Sequence, residues 1–301
     1  MLIPGIPFYI NESPTTNDWT LANNREFDFS EDLDRAFPYI DPPGVAICGE
    51  VWTDKPEAAL SAMVTGKAAL AWEQVEGPSG VTFAKPDAAR TKAMFPAEGD
   101  YRVNLKADNG TLWRTARTAV HILPPGARTF KAWDFAKNLD MQGWRAEGTG
   151  TAYEFLPGKV AFWNTKSHPV RLVCGDYLVV AMKDTAEACL VTPDEMDVGV
   201  LCGGARANAM RIKMQNHTTS RKMRLWWQTN SREPAWDEKN TVVFDVTPMD
   251  ADDSIYTVPI PPVGNLKQLK LSFSADGEKI TGTCRIDYIW LGKLVSEGAG
   301  K

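Results

Sequence analysis

Histidine and cysteine carry much of the acid–base, nucleophilic and metal chemistry of proteins, but in this chain neither type falls in a familiar pattern. His121, His168 and His217 have no nucleophile in a Gly-x-Ser-x-Gly or His-Glu-x-x-His frame, and no Gly-rich phosphate loop occurs. The five cysteines lack Cys-x-x-Cys and Cys/His spacing, which argues against a metal site built on them. We therefore predict no catalytic residue.

Tryptophans followed by polar side chains offer a different chemistry, which is sugar binding. Sugars present apolar C–H faces that stack on aromatic rings, and their hydroxyls need a few fixed polar partners. Trp226 and Trp227 are adjacent on a predicted strand, so the pleat must send them to opposite faces. We expect sugar contacts from one strand and the loop after it, with a second platform upstream: Trp227, Gln228, Asn230, Arg232 and Trp236, and Trp163. The alternative is that most of these rings are core, where large aromatics of a sandwich usually lie.

Length and composition limit the partners. With 301 residues, two domains are expected, and 44% hydrophobic with 24% charged residues is typical of a globular protein. The net charge of -5 and a pI near 5.4 argue against nucleic-acid binding. No apolar run approaches the ~20 residues that a membrane span requires, so no membrane insertion is expected. The first residues do not resemble a secretory signal, which leaves a cytosolic protein or a piece of a longer secreted chain.

The elements that must position these residues are all short strands. Residues 1–40 are polar and irregular, and we interpret them as a leader or the tail of a preceding module. Strand-like runs, each closed by Gly, Pro, Asp or Asn, then fill residues 41–125, with one strand expected over 45–52. The Pro124-Pro125-Gly126 break marks the best domain boundary, and the short linker should hold the two domains close together. About ten further strands fill 128–296, so the fold class is all-β.

The first domain resembles PKD-type immunoglobulin-like sandwiches. The resemblance rests on Trp72 followed by the Gly77-Pro78 turn, on Thr82-Phe83, and on Gly99-Asp100-Tyr101 leading to Leu105-Lys106-Ala107-Asp108-Asn109-Gly110. Such domains are usually spacers or adhesion modules of secreted multi-domain proteins. The resemblance therefore implies an extracellular or cell-surface accessory protein.

The second domain, 128–296, resembles a galactose-binding-like jelly roll, the fold of many carbohydrate-binding modules. The resemblance is carried by Trp133-Asp134-Phe135 with Gly143-Trp144, by Cys189-Leu190-Val191-Thr192-Pro193, by the strand pair from Met210 to Thr229, and by Arg285-Ile286-Asp287-Tyr288-Ile289-Trp290-Leu291. In such modules an Asp on the closing strand often helps to hold a structural calcium that links the first and last strands. The resemblance thus implies calcium at Asp134 and Asp287, the alternative being that Asp287 accepts hydrogen bonds from a neighbouring loop.

These patterns together predict a non-catalytic carbohydrate-binding region that recognises a polysaccharide or oligosaccharide. It would belong to an extracellular polysaccharide-acting or surface protein, linked to catalytic or other modules in a longer chain. One alternative is a structural or adhesive spacer that binds no glycan. Another is a jelly-roll polysaccharide lyase, because alginate lyases of that fold carry a Gln-x-His similar to Gln215-Asn216-His217. The lyase resemblance is incomplete, since the Tyr-Phe-Lys-Ala-Gly strand of those enzymes is missing.

Overall fold

The structure is a computed structural model. It describes residues 43–135, 141–147, 171–174, 177–186, 188–192, 207–229, 236–261 and 266–295. The described residues form nineteen strands and no helix, which confirms the predicted all-β class. Over the same residues, no helix has the length and apolar character needed to cross a bilayer. The predicted leader at 1–40 and the sugar-binding candidates Trp163, Asn230 and Arg232 lie outside these residues.

The first sandwich consists of two four-stranded sheets. One sheet has the order β1-β3-β6-β5, formed by Gly44–Ile47 (β1), Glu57–Thr65 (β3), Arg90–Met94 (β6) and Thr82–Phe83 (β5). The other has the order β2-β8-β7-β4, formed by Val51–Thr53 (β2), Trp113–Ile122 (β8), Gly99–Asp108 (β7) and Ala69–Glu76 (β4). All these pairs are antiparallel except β2 with β8, which is parallel.

The single strand expected over 45–52 is two strands in different sheets. The chain leaves β1 and turns at Gly49, whose φ of 57° lies in the left-handed region that glycine enters without steric cost. The following β2 then pairs with the second sheet. The expectation was wrong because a run of apolar residues does not reveal a change of sheet within it.

Alternation along β7 builds the core of the first sandwich. Tyr101, Val103 and Leu105 are fully buried, whereas the residues between them are partly exposed. The Tyr101 hydroxyl donates a hydrogen bond to the Ala97 carbonyl oxygen at 2.8 Å and lies 2.7 Å from the Ser79 hydroxyl. The Gly-Asp-Tyr strand is thereby joined to the loop that follows β4.

The second sandwich has a five-stranded and a six-stranded sheet. The five-stranded sheet has the order β10-β13-β18-β15-β16, formed by Arg145–Glu147 (β10), Cys189–Val191 (β13), Leu266–Ser272 (β18), Lys222–Thr229 (β15) and Thr241–Asp245 (β16). The six-stranded sheet has the order β11-β12-β19-β14-β17, formed by Arg171–Cys174 (β11), Tyr177–Thr185 (β12), Ile280–Lys293 (β19), Ala209–Thr218 (β14) and Asp250–Pro259 (β17). Its sixth strand, Arg128–Trp133 (β9), pairs with β19.

Core residues from both of these sheets pack into one cluster that includes Leu225, Leu271, Met210 and Ile286. Trp133 and Trp144, at the entry to this half of the chain, are buried against each other, with ring centroids 5.2 Å apart in an edge-to-face arrangement. Such aromatic pairs stabilise a core beyond the area they bury. The two entry tryptophans are therefore structural.

A β-bulge in β19 turns two consecutive side chains towards the first sandwich. Lys213 pairs with Tyr288, but the next residue of β14, Met214, pairs with Ile286, so Asp287 is the extra residue. Ile286 and Ile289 belong to the core of the second sandwich, whereas Tyr288 belongs to a separate junction cluster. Bulges often re-aim side chains in this way.

That junction cluster joins the two sandwiches face to face. It contains Leu123, Tyr288 and Trp290, with Trp52 packed against them. The Trp52 and Tyr288 rings meet edge to face with centroids 4.9 Å apart. The outer face of the β2-β8-β7-β4 sheet thus contacts the outer face of the six-stranded sheet, which gives four sheets in succession.

Candidate functional site

An aromatic and cationic surface lies on the outer face of the five-stranded sheet. Along β15, Met223, Leu225 and Trp227 are buried, and the residues between them are partly exposed. Trp226 pairs with Lys270 of β18 on one side and with Thr241 of β16 on the other. Because paired residues of antiparallel strands share a face, Trp226 and Lys270 project together away from the core.

Trp227 is not a sugar platform, which corrects the sequence-based prediction. Its side chain is 2% exposed within the core of the second sandwich, and it pairs with the buried Leu269. The pleat does separate Trp226 from Trp227 as expected, but it is Trp226 that faces outwards. Met223 and Leu225, at the two alternate positions before Trp227, were the signal in the sequence that assigns Trp227 to the apolar face.

Trp236 and Trp226 enclose the Lys270 ammonium group. Lys270 Nζ lies 4.6 Å from the centroid of the Trp226 ring and 4.8 Å from that of Trp236. Trp236 has a φ of 61°, so its backbone occupies the left-handed region, which is uncommon for a bulky residue. We refer to Trp226, Trp236 and Lys270 as the outer-face cluster.

Polar groups around the outer-face cluster fix the Trp226 ring. Trp226 Nε1 donates a hydrogen bond to Ser272 Oγ at 3.2 Å, and the Arg224 guanidinium lies 5.2 Å from the ring centroid. Arg224 is in turn held by the Glu238 carboxylate at 3.1 Å and by the Ala275 carbonyl oxygen at 3.0 Å. The ring therefore has a defined orientation on the sheet.

Gln228 is the remaining predicted sugar-binding residue in the part of the chain that the structure describes. It is half-buried and pairs with Gln268, whose own amide donates to the Thr192 carbonyl oxygen. Gln228 and Trp236 are thus brought to one surface together with two residues that the sequence reasoning missed, Trp226 and Lys270. Lys270 was missed because it is 44 residues from Trp226, and only the register of β15 with β18 brings them together.

Asp134 and Asp287, the predicted calcium ligands, already have other partners. Asp287 Oδ2 lies 3.0 Å from Lys213 Nζ and 3.7 Å from Arg102 Nη2. Asp134 accepts a hydrogen bond from the Gln142 side-chain amide. Among the described residues, no group of three or more His, Cys, Asp or Glu is arranged to hold a metal. A calcium ion needs several free oxygen ligands, so this donor set does not fit one.

A second polar site, the junction network, links the two sandwiches through His121. His121 Nδ1 lies 2.8 Å from Asp100 Oδ1, and Nε2 lies 3.2 Å from Glu50 Oε2. The ring is 3% exposed and stacks on Trp52 with centroids 3.7 Å apart. The antiparallel register of β7 with β8 sets Asp100 opposite His121.

Lys213 of β14 carries the junction network into the second sandwich. Its Nζ lies 3.2 Å from Asp100 Oδ2 and 3.0 Å from Asp287 Oδ2, so one ammonium group bridges carboxylates of both sandwiches. Burial lowers the pKa of Lys213, but the charges of Asp287 and Asp100 outweigh it and raise the pKa overall. Burial acts to raise the pKa of Asp100, but His121 and Lys213 outweigh it and lower that pKa to about 2.

A cavity of about 250 Å³ lies beside this network and is lined from both sandwiches, with charged walls formed by Glu50, Asp100, Asp134, Asp287, Arg102, Arg117 and Lys213. Carboxylates and cations thus face the same cavity at the junction. This arrangement fits a fixed joint between domains, because a buried ion pair holds one geometry.

Gln215 and His217, the residues of the lyase alternative, contact each other on β14. His217 Nε2 lies 3.2 Å from Gln215 Oε1. Between them, Asn216 is fully buried and donates to the carbonyl oxygens of Ser220 and Thr247. The segment thus has a structural role at the end of the strand.

Comparisons with known proteins do not assign the chain to a family. No protein-family model matches the chain, and no curated protein matches it. Among solved structures, the PKD domain of human KIAA0319 is 12% identical over 29% of this chain and 85% of its own, with a TM-score of 0.26.

Two carbohydrate-binding modules are also among the similar structures. The K85A mutant of CBM29-2 is 11% identical over 53% of this chain and 91% of its own, with a TM-score of 0.27. The CBM51-2 and INT domains of Clostridium perfringens ZmpB are 12% identical over 81% of this chain and 47% of their own, with a TM-score of 0.28. All these scores are low, and the functional case rests on the side chains described above.

Proposed function

We propose that the chain is a non-catalytic carbohydrate-binding region of an extracellular polysaccharide-acting or cell-surface protein, and that it binds its glycan on the outer face of the five-stranded sheet. The observation that carries the proposal is the outer-face cluster. Trp226 and Trp236 are only partly buried, whereas the other tryptophans described in this half of the chain are fully buried.

The geometry of the cluster suits sugar recognition. Lys270 occupies one face of Trp236, so a sugar ring would stack on the opposite face of that indole. The Gln228 amide, on the same strand as Trp226, offers a donor and an acceptor to sugar hydroxyls. Stacking on a fixed aromatic ring with a few polar groups nearby gives orientation as well as affinity.

The test is retention of the protein by polysaccharides in affinity gel electrophoresis, with a glycan array to survey sugars. Trp236→Ala should lose retention, while its melting temperature stays within about 2 °C of wild type, since a partly exposed ring contributes little to the core. Trp113→Ala is the matched control, because Trp113 is 61% exposed on the first sandwich. Its retention should not change.

Two outcomes would overturn the proposal. A wild-type protein that no glycan retains would favour the spacer alternative, for which the fixed junction between the sandwiches is suited. Unchanged retention of Trp236→Ala would exclude the outer-face cluster as the binding site. Release of unsaturated products from uronic-acid polymers, detected by ultraviolet absorbance, would instead favour the lyase alternative.

A further inference from the structure

A positive charge lies in the centre of the outer-face cluster. Lys270 Nζ lies within 5 Å of two indole centroids, yet no carboxylate in the described part of the chain pairs with it and no described atom accepts a hydrogen bond from it. A lysine ammonium has three donors. The indole faces attract the charge but accept none of these hydrogen bonds in the ordinary geometry.

The carboxylates nearby in the chain are already used by other cations. Glu238 pairs with Arg224 at 3.1 Å, and Asp237 pairs with Lys239 at 3.3 Å. Lys270 therefore remains without an anion among the described residues. The two rings hold it in place, so it does not lose rotamer freedom when a ligand binds.

The indoles and the ammonium group together define a ligand with two kinds of surface. The face of Trp236 that points away from Lys270 suits the apolar side of a sugar, and Lys270 suits an anionic substituent on a neighbouring sugar of the same polymer. The chain as a whole carries a net charge of -5, so it repels polyanions in general and would bind one only through a local positive site.

From this geometry we infer that the glycan is an acidic polysaccharide, bound with its carboxylate or sulfate group at Lys270 between Trp226 and Trp236. The inference rests on the proposed function and specifies its ligand class. Lys270 is then the residue that determines specificity, whereas Trp236 supplies stacking that neutral sugars would share.

The test uses polysaccharides of one backbone that differ in charge. Retention of the wild type is compared on polygalacturonate and its methyl-esterified form, and on dextran sulfate and dextran, so that the two pairs distinguish carboxylate from sulfate. We expect one anionic member to be bound about tenfold more tightly than its neutral partner, as one charge-assisted hydrogen bond provides. Sodium chloride should reduce this preference through screening.

Substitutions then assign the preference to Lys270. Lys270→Gln should bind the charged and neutral members alike, and Lys270→Arg, which keeps the charge and can stack on indole, should restore the preference. Lys222→Gln is the matched control, since it removes the same charge from the neighbouring strand β15, where Lys222 Nζ is 3.9 Å from Asp276. Its preference should equal that of wild type.

Each negative outcome of these experiments overturns a different claim. Equal retention of the wild type by both members of each pair overturns the acidic-glycan inference and leaves the proposed function standing. A preference that persists in Lys270→Gln overturns the assignment to Lys270. Absence of retention by every polysaccharide, charged or neutral, overturns the proposed function and this inference with it.

Discussion

His121 has a carboxylate oxygen at each ring nitrogen, which a neutral imidazole cannot satisfy with its one N–H group. Burial lowers the pKa of His121, but the hydrogen bonds and charges of Asp100 and Glu50 outweigh burial and raise the pKa above 6.5. Burial also raises the pKa of Glu50 in spite of His121. At pH values between the unfolded and the folded pKa of His121, the junction therefore keeps a proton that the unfolded chain has released.

This proton makes the stability depend on pH in a defined direction. Because the folded pKa of His121 is raised, its contribution is complete below 6.5 and is lost as the pH rises through the folded value. We expect His121→Gln to lower the free energy of unfolding by about 1–3 kcal/mol at the acidic end. The difference from wild type should shrink as the pH rises, in urea unfolding measured at several pH values.

His217→Gln is the control for loss of an imidazole. Among the described residues, the hydrogen-bond partner of the His217 ring is the neutral Gln215 amide, not a carboxylate. A cost of His121→Gln that is the same at every pH would show that His121 acts through packing on Trp52 alone.

At the scale of elements, Tyr101 anchors β7 to the loop between β4 and β5. Its hydroxyl bonds both the Ala97 carbonyl oxygen and Ser79, and its ring is fully buried. Tyr101→Phe should therefore destabilise the protein by about 1–2 kcal/mol in denaturant unfolding, because it leaves a partly buried carbonyl without its donor. Tyr256→Phe, which removes a hydroxyl that accepts an exposed hydrogen bond from the Thr247 backbone N–H, should cost less. Equal costs would contradict the anchoring role of Tyr101.

Some features of the strands can be predicted from neighbouring residues alone, and others cannot. Alternation of apolar residues in β7 and β15 predicts their buried faces, because the period of a strand follows from its backbone. The Asp287 bulge in β19 is a different case, since it depends on how β14 pairs with that strand. The Lys270–Trp226 contact likewise depends on sheet register. Partners distant in the chain must be known before such contacts can be predicted, which is why the aromatic segment was found but its outward ring was not.

At the scale of the whole molecule, the junction couples the two sandwiches. Trp52 stacks on His121 and meets Tyr288 of the second sandwich. Because contacts of this kind link the two cores, we expect the wild type to unfold in a single calorimetric transition. Trp52→Ala should remove the coupling and separate the transition into two, at a cost of about 2–4 kcal/mol.

Trp113→Ala again provides the control, as an exposed tryptophan of the same sandwich. Two transitions in the wild-type protein, or a single transition displaced to lower temperature in Trp52→Ala, would show that the junction brings the sandwiches together without coupling their unfolding.

The four stacked sheets set a distance between a bound polymer and the opposite side of the molecule. The first sandwich contacts the six-stranded sheet, and the outer-face cluster lies on the far side of the five-stranded sheet. With neighbouring sheets about 10 Å apart, roughly 30 Å of protein separates the outermost sheet of the first sandwich from the sheet that carries the cluster. A polymer chain held there would be kept at that distance from anything attached to the opposite side, so the thickness of the stack sets a clearance between the polymer and a neighbouring module.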